Sequence, residues 1–329
     1  MSNSLQTWAS HNAKTLGRNS VAPLCLLLTL VYFGSTTHGV WDVDNLLNVA
    51  GQAAPLGIVA IGQLVVILTR GFDISVGSVA ALAVVASAIS INAIGPWGAL
   101  AGPLAGLVCG AINGIIIGRF KIQPIVATLG MLSAARGGAI LLSGQQGVLI
   151  EGTNPLVGLG YERLGRIPYS FLALLLLTAL VAFVLRKLRF GRRLYMIGSN
   201  PAGAQLSGVD VKQTLLVAYS ISGLSAGLAA LVFLGRAGIG LPTEGGGLEL
   251  SAIAAVVIGG ASLSGAIGRP AFVLLGALFI QFLGNGLNLA GTSPFEQQIV
   301  LGLVLVAAGL IDFAVNRAAK AANLQKGTQ

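Results

Sequence analysis

Apolar runs close to the roughly 20 residues needed to cross the hydrocarbon core of a bilayer recur along nearly the whole chain, separated by short segments that hold most of the charges. The pattern predicts ten membrane-spanning helices: Val21 to Gly39, Leu46 to Leu68, Ile74 to Ile94, Trp97 to Ile117, Ile122 to Leu142, Tyr169 to Leu185, Thr214 to Leu234, Leu250 to Ala266, Ala271 to Leu289 and Phe295 to Val315. No stretch long enough for a soluble domain remains between them. The expected architecture is therefore an all-α integral membrane protein with one polytopic domain over residues 21–315, a segment 1–20 ahead of it and a tail 316–329 behind it. Lys14 and Arg18 precede the first apolar run as in a secretory signal, but no A-x-A cleavage pattern follows at Gly34 to Gly39, so the run reads as a first span.

Composition sharpens this reading. The chain is 55% hydrophobic and only 9% charged, with a mean hydropathy of +0.87, against roughly 25% charged in an ordinary soluble domain. Its 47 glycines fit helices whose backbones approach closely, because spans in lipid associate through packing. Cys25 and Cys109 each lie inside an apolar run and read as small soft hydrophobes.

The net charge of +9 reads as topology, with no nucleic-acid partner implied. With ten spans, Lys14, Arg18, Arg70, Arg119, Lys121, Arg186, Lys187, Arg189, Arg192, Arg193, Lys212, Arg269, Arg317, Lys320 and Lys326 fall on one side. Arg163, Arg166 and Arg236 fall on the other. Cationic loops resist translocation, so both termini and the 186–212 loop are expected in the cytoplasm. The longest loop on the opposite side, Ser143 to Pro168, folds over the outer face, contacts an outside partner or serves as a plain connector.

The 186–212 loop carries a punctuated short helix. Asn200 is a natural N-cap, Pro201 suits the first helical position where no N–H is needed, and Gly208 can take the left-handed conformation that ends a helix. Barely two turns fit between them, and a helix that short is marginal alone in water. It reads either as a capped surface loop or as a knob on which another protein packs, with Ala204, Gln205 and Leu206 at its centre.

Gly71-Phe72-Asp73-Ile74-Ser75 at the third span and Gly247-Leu248-Glu249-Leu250-Ser251 at the eighth repeat one order of glycine, apolar, acid, apolar and serine. The charge sorting puts the two copies on opposite sides, as inverted-topology repeats of transporters would. Asp73, Ser75, Glu249 and Ser251 are candidate helix caps. They are equally candidates for a solute pathway or gate. Arg136, inside the fifth span, must face a polar cavity, pair with an acid or reach the interface. Gln52, Gln63, Asn92, Asn113, Gln123, Gln281, Asn285 and Asn288 supply amides suited to hydroxyl-rich solutes or to bonds between helices.

No phosphate loop, zinc helix or C-x-x-C pair occurs, so no bond chemistry, metal or cofactor is expected of this chain. Active uptake must then draw on an ion gradient or on a separate nucleotide-hydrolysing subunit. The scarcity of ionisable groups inside the spans favours the second. A proton- or sodium-coupled secondary transporter and a non-transporting membrane scaffold are the other readings.

Five strings, in order, resemble the membrane permeases of bacterial ABC importers for monosaccharides, the branched group that includes ribose, xylose and autoinducer permeases. They are G-F-D-I-S-V-G-S-V from Gly71, I-Q-P-I-V-A-T-L-G-M from Ile122, R-G-G-A-I-L-L-S-G from Arg136, G-R-R-L-Y-M-I-G-S-N-P-A-G-A-Q-L-S-G-V from Gly191 and G-L-E-L-S-A-I-A-A-V-V-I-G-G-A-S-L-S-G-A-I-G from Gly247. The resemblance implies a type II importer-like permease in the bacterial inner membrane. Its partners would be a second permease copy or close paralogue, two cytoplasmic ATPase subunits that bind ATP and magnesium, and a periplasmic sugar-binding protein. It also implies that the helix from Asn200 to Gly208 couples the ATPase to the permease. This chain departs from the usual pair of glycines before the acid of the third-span motif, having Gly71-Phe72.

Overall fold

The computed structural model describes residues 21–327 with the exception of Thr153. The segment expected at 1–20, with Lys14 and Arg18, lies outside the described residues, as do residues 328–329. Twelve α-helices follow in order: α1 Val21–Thr36, α2 Val43–Ile67, α3 Val76–Ile94, α4 Ala101–Phe120, α5 Pro124–Leu142, α6 Tyr169–Lys187, α7 Arg189–Ser199, α8 Pro201–Leu206, α9 Val211–Ala237, α10 Leu248–Ile258, α11 Pro270–Leu289 and α12 Pro294–Gly327. Among the described residues, seven helices are long and apolar enough to cross a membrane, and α1, α10 and the Pro294–Leu310 part of α12 are shorter apolar helices.

The main departure from expectation is the eighth predicted segment. Its helix, α10, ends at Ile258 and has 11 residues, about 16 Å of rise against a hydrocarbon core of roughly 30 Å. Gly259 and Gly260 stop it, Gly260 with a φ of +77°, and residues 259–269 continue as irregular chain. The tail expected at 316–329 is helical as far as Gly327.

Helix α2 is the centre of the bundle, and every residue from Ala53 to Ile67 is buried. A helix apolar on all sides is stable only when surrounded, and α6, α9, α10 and α11 all pack on it. The largest interhelical contact joins α4 to α9. Gly106 and Gly110 of α4 press on the backbone carbonyls of Gly223 and Tyr219, where a Cβ would collide. Such backbone-to-backbone contact replaces the hydrophobic drive that lipid removes. Leu176, Leu180 and Phe183 of α6, with Ile299, Leu303 and Val306 of α12, stay exposed and suit contact with lipid or another subunit.

The order of elements repeats. A long helix, a break, a helix, then two more helices appear as α2–α5 and again as α9–α12. The halves interlock: α9 of the second packs on α4 of the first, and α11 packs on α2. The ends are dressed differently. At one end α7 and α8 lie across the helix ends. At the other, β1 (Val148–Leu149) pairs antiparallel with β2 (Ile239–Gly240), and the 143–168 loop is stapled to the bundle. Asn92 holds it at the Leu149 carbonyl (2.8 Å) and the Glu151 N–H (3.0 Å), and Arg163 donates to Asn48 Oδ1 (2.8 Å). The loop therefore folds over this end.

Candidate functional site

The short helix α8 forms as its punctuation predicts. The Asn200 side chain accepts the Gly203 N–H at 3.0 Å, and Pro201 opens the helix. Gly208 has a φ of +80°, and the N–H groups of Gly208 and Val209 return to the carbonyls of Gln205 and Ala204, both at 3.0 Å. That pair of bonds is the Schellman stop, which satisfies carbonyls otherwise left free at a helix end. Ala204 faces inward and packs with Val209 and Ile197. Gln205 is exposed, and Leu206 is 90% exposed. A large apolar side chain thus stands out from a helix capped at both ends.

The break before α3 closes into a buried polar knot. Asp73 is 1% exposed, and its carboxylate accepts from the Ser75 N–H, the Ser75 hydroxyl and the Ser222 hydroxyl of α9. Asn113 of α4 donates to the Ser75 hydroxyl at 3.1 Å. The Gln63 amide, oriented with its oxygen to the Asp73 N–H (3.1 Å) and its nitrogen to the Asp73 carbonyl (3.2 Å), pins the break from α2. Tyr219 adds a long bond to the Phe72 carbonyl. Ser75 is the N-cap residue of α3 but makes no cap bond of its own. Asp73 instead holds the N–H of that residue, at the favourable positive end of the helix. Three donors and the helix end satisfy a buried charge that would otherwise be costly.

The break before α10 opens. Gly247 is the N-cap with a φ of +78°, and neither Glu249 nor Ser251 supplies the cap they were expected to give. Ser251 donates back to the Gly247 carbonyl at 3.1 Å. The Glu249 carboxylate lies against Gly77 in the first turn of α3, and Gly245 meets the Gly77 backbone. The two echoed breaks thus touch. Beyond strand β2, residues 241–247 run as irregular chain alongside α3, from Gly240 against Val84 and Ala88 to Gly245 against Gly77. Arg136 of α5 donates to the carbonyls of Pro242 (2.8 Å) and Glu244 (3.1 Å). Its half-buried charge is satisfied by holding this strip.

Irregular backbone deep in a membrane bundle persists only where protein buries it or where it lines a cavity. Here it lines one of about 440 Å³, together with Gln52 of α2, Gln281, Asn285 and Asn288 of α11 and Gln297 of α12. Gln281 donates to Gln52 (3.1 Å), and Asn285 and Asn45 exchange paired amide bonds at 3.0 and 3.1 Å. A second, more apolar cavity of about 440 Å³ lies across Gly246 and Gly247, against Leu250, Ala254 and Leu305. The first suits a hydroxyl-rich solute, because side-chain amides both donate and accept.

Four of the amides noted in the sequence therefore meet in one wall, whereas Gln63 and Asn113 serve the Asp73 knot and Asn92 holds a loop. Ser222, Tyr219, Glu244 and Gln297 were not anticipated. Glu244 had a signal in the three glycines that follow it; the others stand in ordinary helical sequence. At the capped end, burial pushes the Tyr195 phenol up, and its hydroxyl donates to the Gly268 carbonyl at 2.9 Å.

Residues 45–309 match the model of the family described as branched-chain amino acid transport system / permease component. The ribose import permease protein of Escherichia coli K12 is 37% identical over 297 residues, covering 88% of this chain and 92% of its own length. That of Bacillus subtilis is 40% identical over 280 residues, 82% of this chain and 84% of its own. The L-arabinose transport system permease protein of Escherichia coli K12 is 36% identical over 292 residues, 87% of this chain and 89% of its own. No solved structure gives a significant match.

Proposed function

Because the chain belongs to the branched-chain amino acid transport system / permease component family, we propose that it forms the path of an ATP-driven importer and passes a neutral monosaccharide. The observation that carries the sugar reading is the amide-walled cavity, with Gln52, Gln281, Asn285, Asn288 and Gln297 facing a strip of open backbone. Its volume of about 440 Å³ falls in the ordinary range of small-molecule sites. The relatives named as ribose and L-arabinose permeases support this reading, since both sugars carry the hydroxyls that amides bond.

In this reading the end that carries α7 and α8 faces the cytoplasm, as the lopsided cationic loops imply. An ATPase subunit docks on Asn200, Pro201, Gln205 and Leu206, with Ala204 and Gly208 holding the knob rigid. The stapled 143–168 loop faces outward and receives a secreted sugar-binding protein. A second permease copy or paralogue completes the path. Asp73 and Ser75 with Glu249 and Ser251 mark the two hinges beside it.

The test is uptake into proteoliposomes by the assembled permease, ATPase and binding protein. Labelled ribose, arabinose and fructose are expected to enter only with ATP, and Gln205→Glu with Leu206→Asp is expected to abolish entry. Entry without ATP that ignores both substitutions overturns the reading.

A further inference from the structure

The break before α3 and the irregular 259–269 segment after α10 are both fastened to the helix that leads into α8. Residue 70 ends the turn after α2, and its N–H returns to the Ile67 carbonyl at 2.9 Å. Its φ is +66°, a conformation a non-glycine residue holds only when its surroundings dictate it. The Arg70 guanidinium spans from there to α7, donating through Nε to Gly198 O and through Nη2 to Ser199 O, both at 2.6 Å. These are the last two carbonyls of α7, and the next residue is Asn200, the N-cap of α8. The fork thus grips the root of the knob.

The 259–269 segment reaches the same helix. Ala266, with a φ of +60°, donates its N–H to Leu68 O at 3.0 Å. Gly198 fits so tightly between Leu68 O and Ala266 N that a Cβ there would collide with both. One turn earlier in α7, Tyr195 donates to Gly268 O. Beyond Arg70 the chain has no slack: Asp73, three residues on, is tied to Ser222, and Gly77 lies in backbone contact with Gly245 in the cavity wall.

We propose that Arg70 is the positioning residue that passes displacement of the 200–208 helix to the glycine wall of the cavity, with Tyr195 giving the parallel link to the 259–269 break. This rests on the reading that an ATPase moves that helix. Physical continuity alone does not demonstrate coupling, so the test must read coupling itself. A planar guanidinium holds two carbonyls at once in a way a lysine cannot.

The experiment compares Arg70→Gln, Arg70→Lys and Tyr195→Phe in the complete assembly, measuring sugar entering per ATP hydrolysed and the ATPase subunits that co-purify. Arg70→Gln is expected to lower entry per ATP about tenfold, and Tyr195→Phe about threefold, with co-purification unchanged. Arg70→Lys is expected to fall between wild type and Arg70→Gln. A purely structural role would reduce folded permease and bound ATPase together and leave entry per ATP at the wild-type ratio, which overturns the proposal. Should Arg70→Gln fail to accumulate, Arg70→Lys and Tyr195→Phe decide by the same ratio. Wild-type assembly that imports nothing with ATP counts against the transport reading; working wild type with unchanged variants counts against the coupling alone.

Discussion

The breaks before α3 and before α10 carry the same order of residues and end in opposite environments. Asp73 is sealed, 1% exposed, with its carboxylate held by Ser75 and Ser222 and its backbone by Gln63. The corresponding break at Glu249 borders a cavity, starts from a left-handed glycine and has no side-chain cap. The neighbours make the difference. Helices α2, α4 and α9 deliver Gln63, Asn113 and Ser222 to the first break, while Gly245, Gly246 and Gly247 leave backbone bare at the second. Polar sequence in a membrane bundle is scaffold where donors meet its acceptors, and becomes a site where backbone faces open volume.

The comparison breaks most sharply at Asp73. Asp73→Ala strips the acceptor from two hydroxyls and the Ser75 N–H in a dry interior, and a lost bond to a charged group costs about 1.5–3 kcal/mol. The thermal midpoint and the yield of monodisperse protein in detergent are both expected to fall, and uptake to fall in proportion to folded protein. Normal stability with lost uptake would move Asp73 from scaffold to pathway. Next in size is Gln281→Leu, which places an apolar group where a hydroxyl needs a partner. Sugar uptake is expected to drop by about tenfold or more, with the thermal midpoint nearly unchanged because the Gln281 bond to Gln52 is exposed. A fall in stability with uptake per folded molecule intact would reduce the amide wall to a helix contact.

Much of the fold was legible because lipid enforces a simple rule: apolar length reports a span. Nine of the ten expected runs overlap the helix found there along most of their length. Eight shift by a few residues at the ends, as Tyr169 to Leu185 became Tyr169–Lys187, while the last helix runs past Val315 to Gly327. The Leu250 to Ala266 run misled because hydropathy does not register where a backbone stops being helical, and Gly259 and Gly260 lie within it. The knob was legible to the residue, since Asn200, Pro201 and Gly208 act locally. The cavity was not. Gln52 and Gln281 are brought together by packing of α2 on α11, and nothing in either segment records the other. Arg136 gave only half its signal: a charge in a span announces a polar partner, but its partners are the carbonyls of Pro242 and Glu244, which any sequence supplies.

The finest cut is between Glu249 and Ser251, two residues apart at the open break. The Glu249 carboxylate leans on Gly77, where the two breaks meet, so Glu249→Ala is expected to lower uptake about threefold through a shifted cavity wall while folded protein stays near wild type. Equal fractional losses in both would leave Glu249 as packing. The Ser251 hydroxyl bonds only the Gly247 carbonyl within its own helix, a contact of the kind that contributes little on balance. Ser251→Ala is therefore expected to change stability by less than about 0.5 kcal/mol and uptake by less than about twofold. Ser251 also lines the cavity, so a larger loss of uptake at unchanged stability would show its hydroxyl turning from the helix to the passing sugar. The open break would then supply a side chain as well as backbone, and its contrast with the sealed knot at Asp73 would widen.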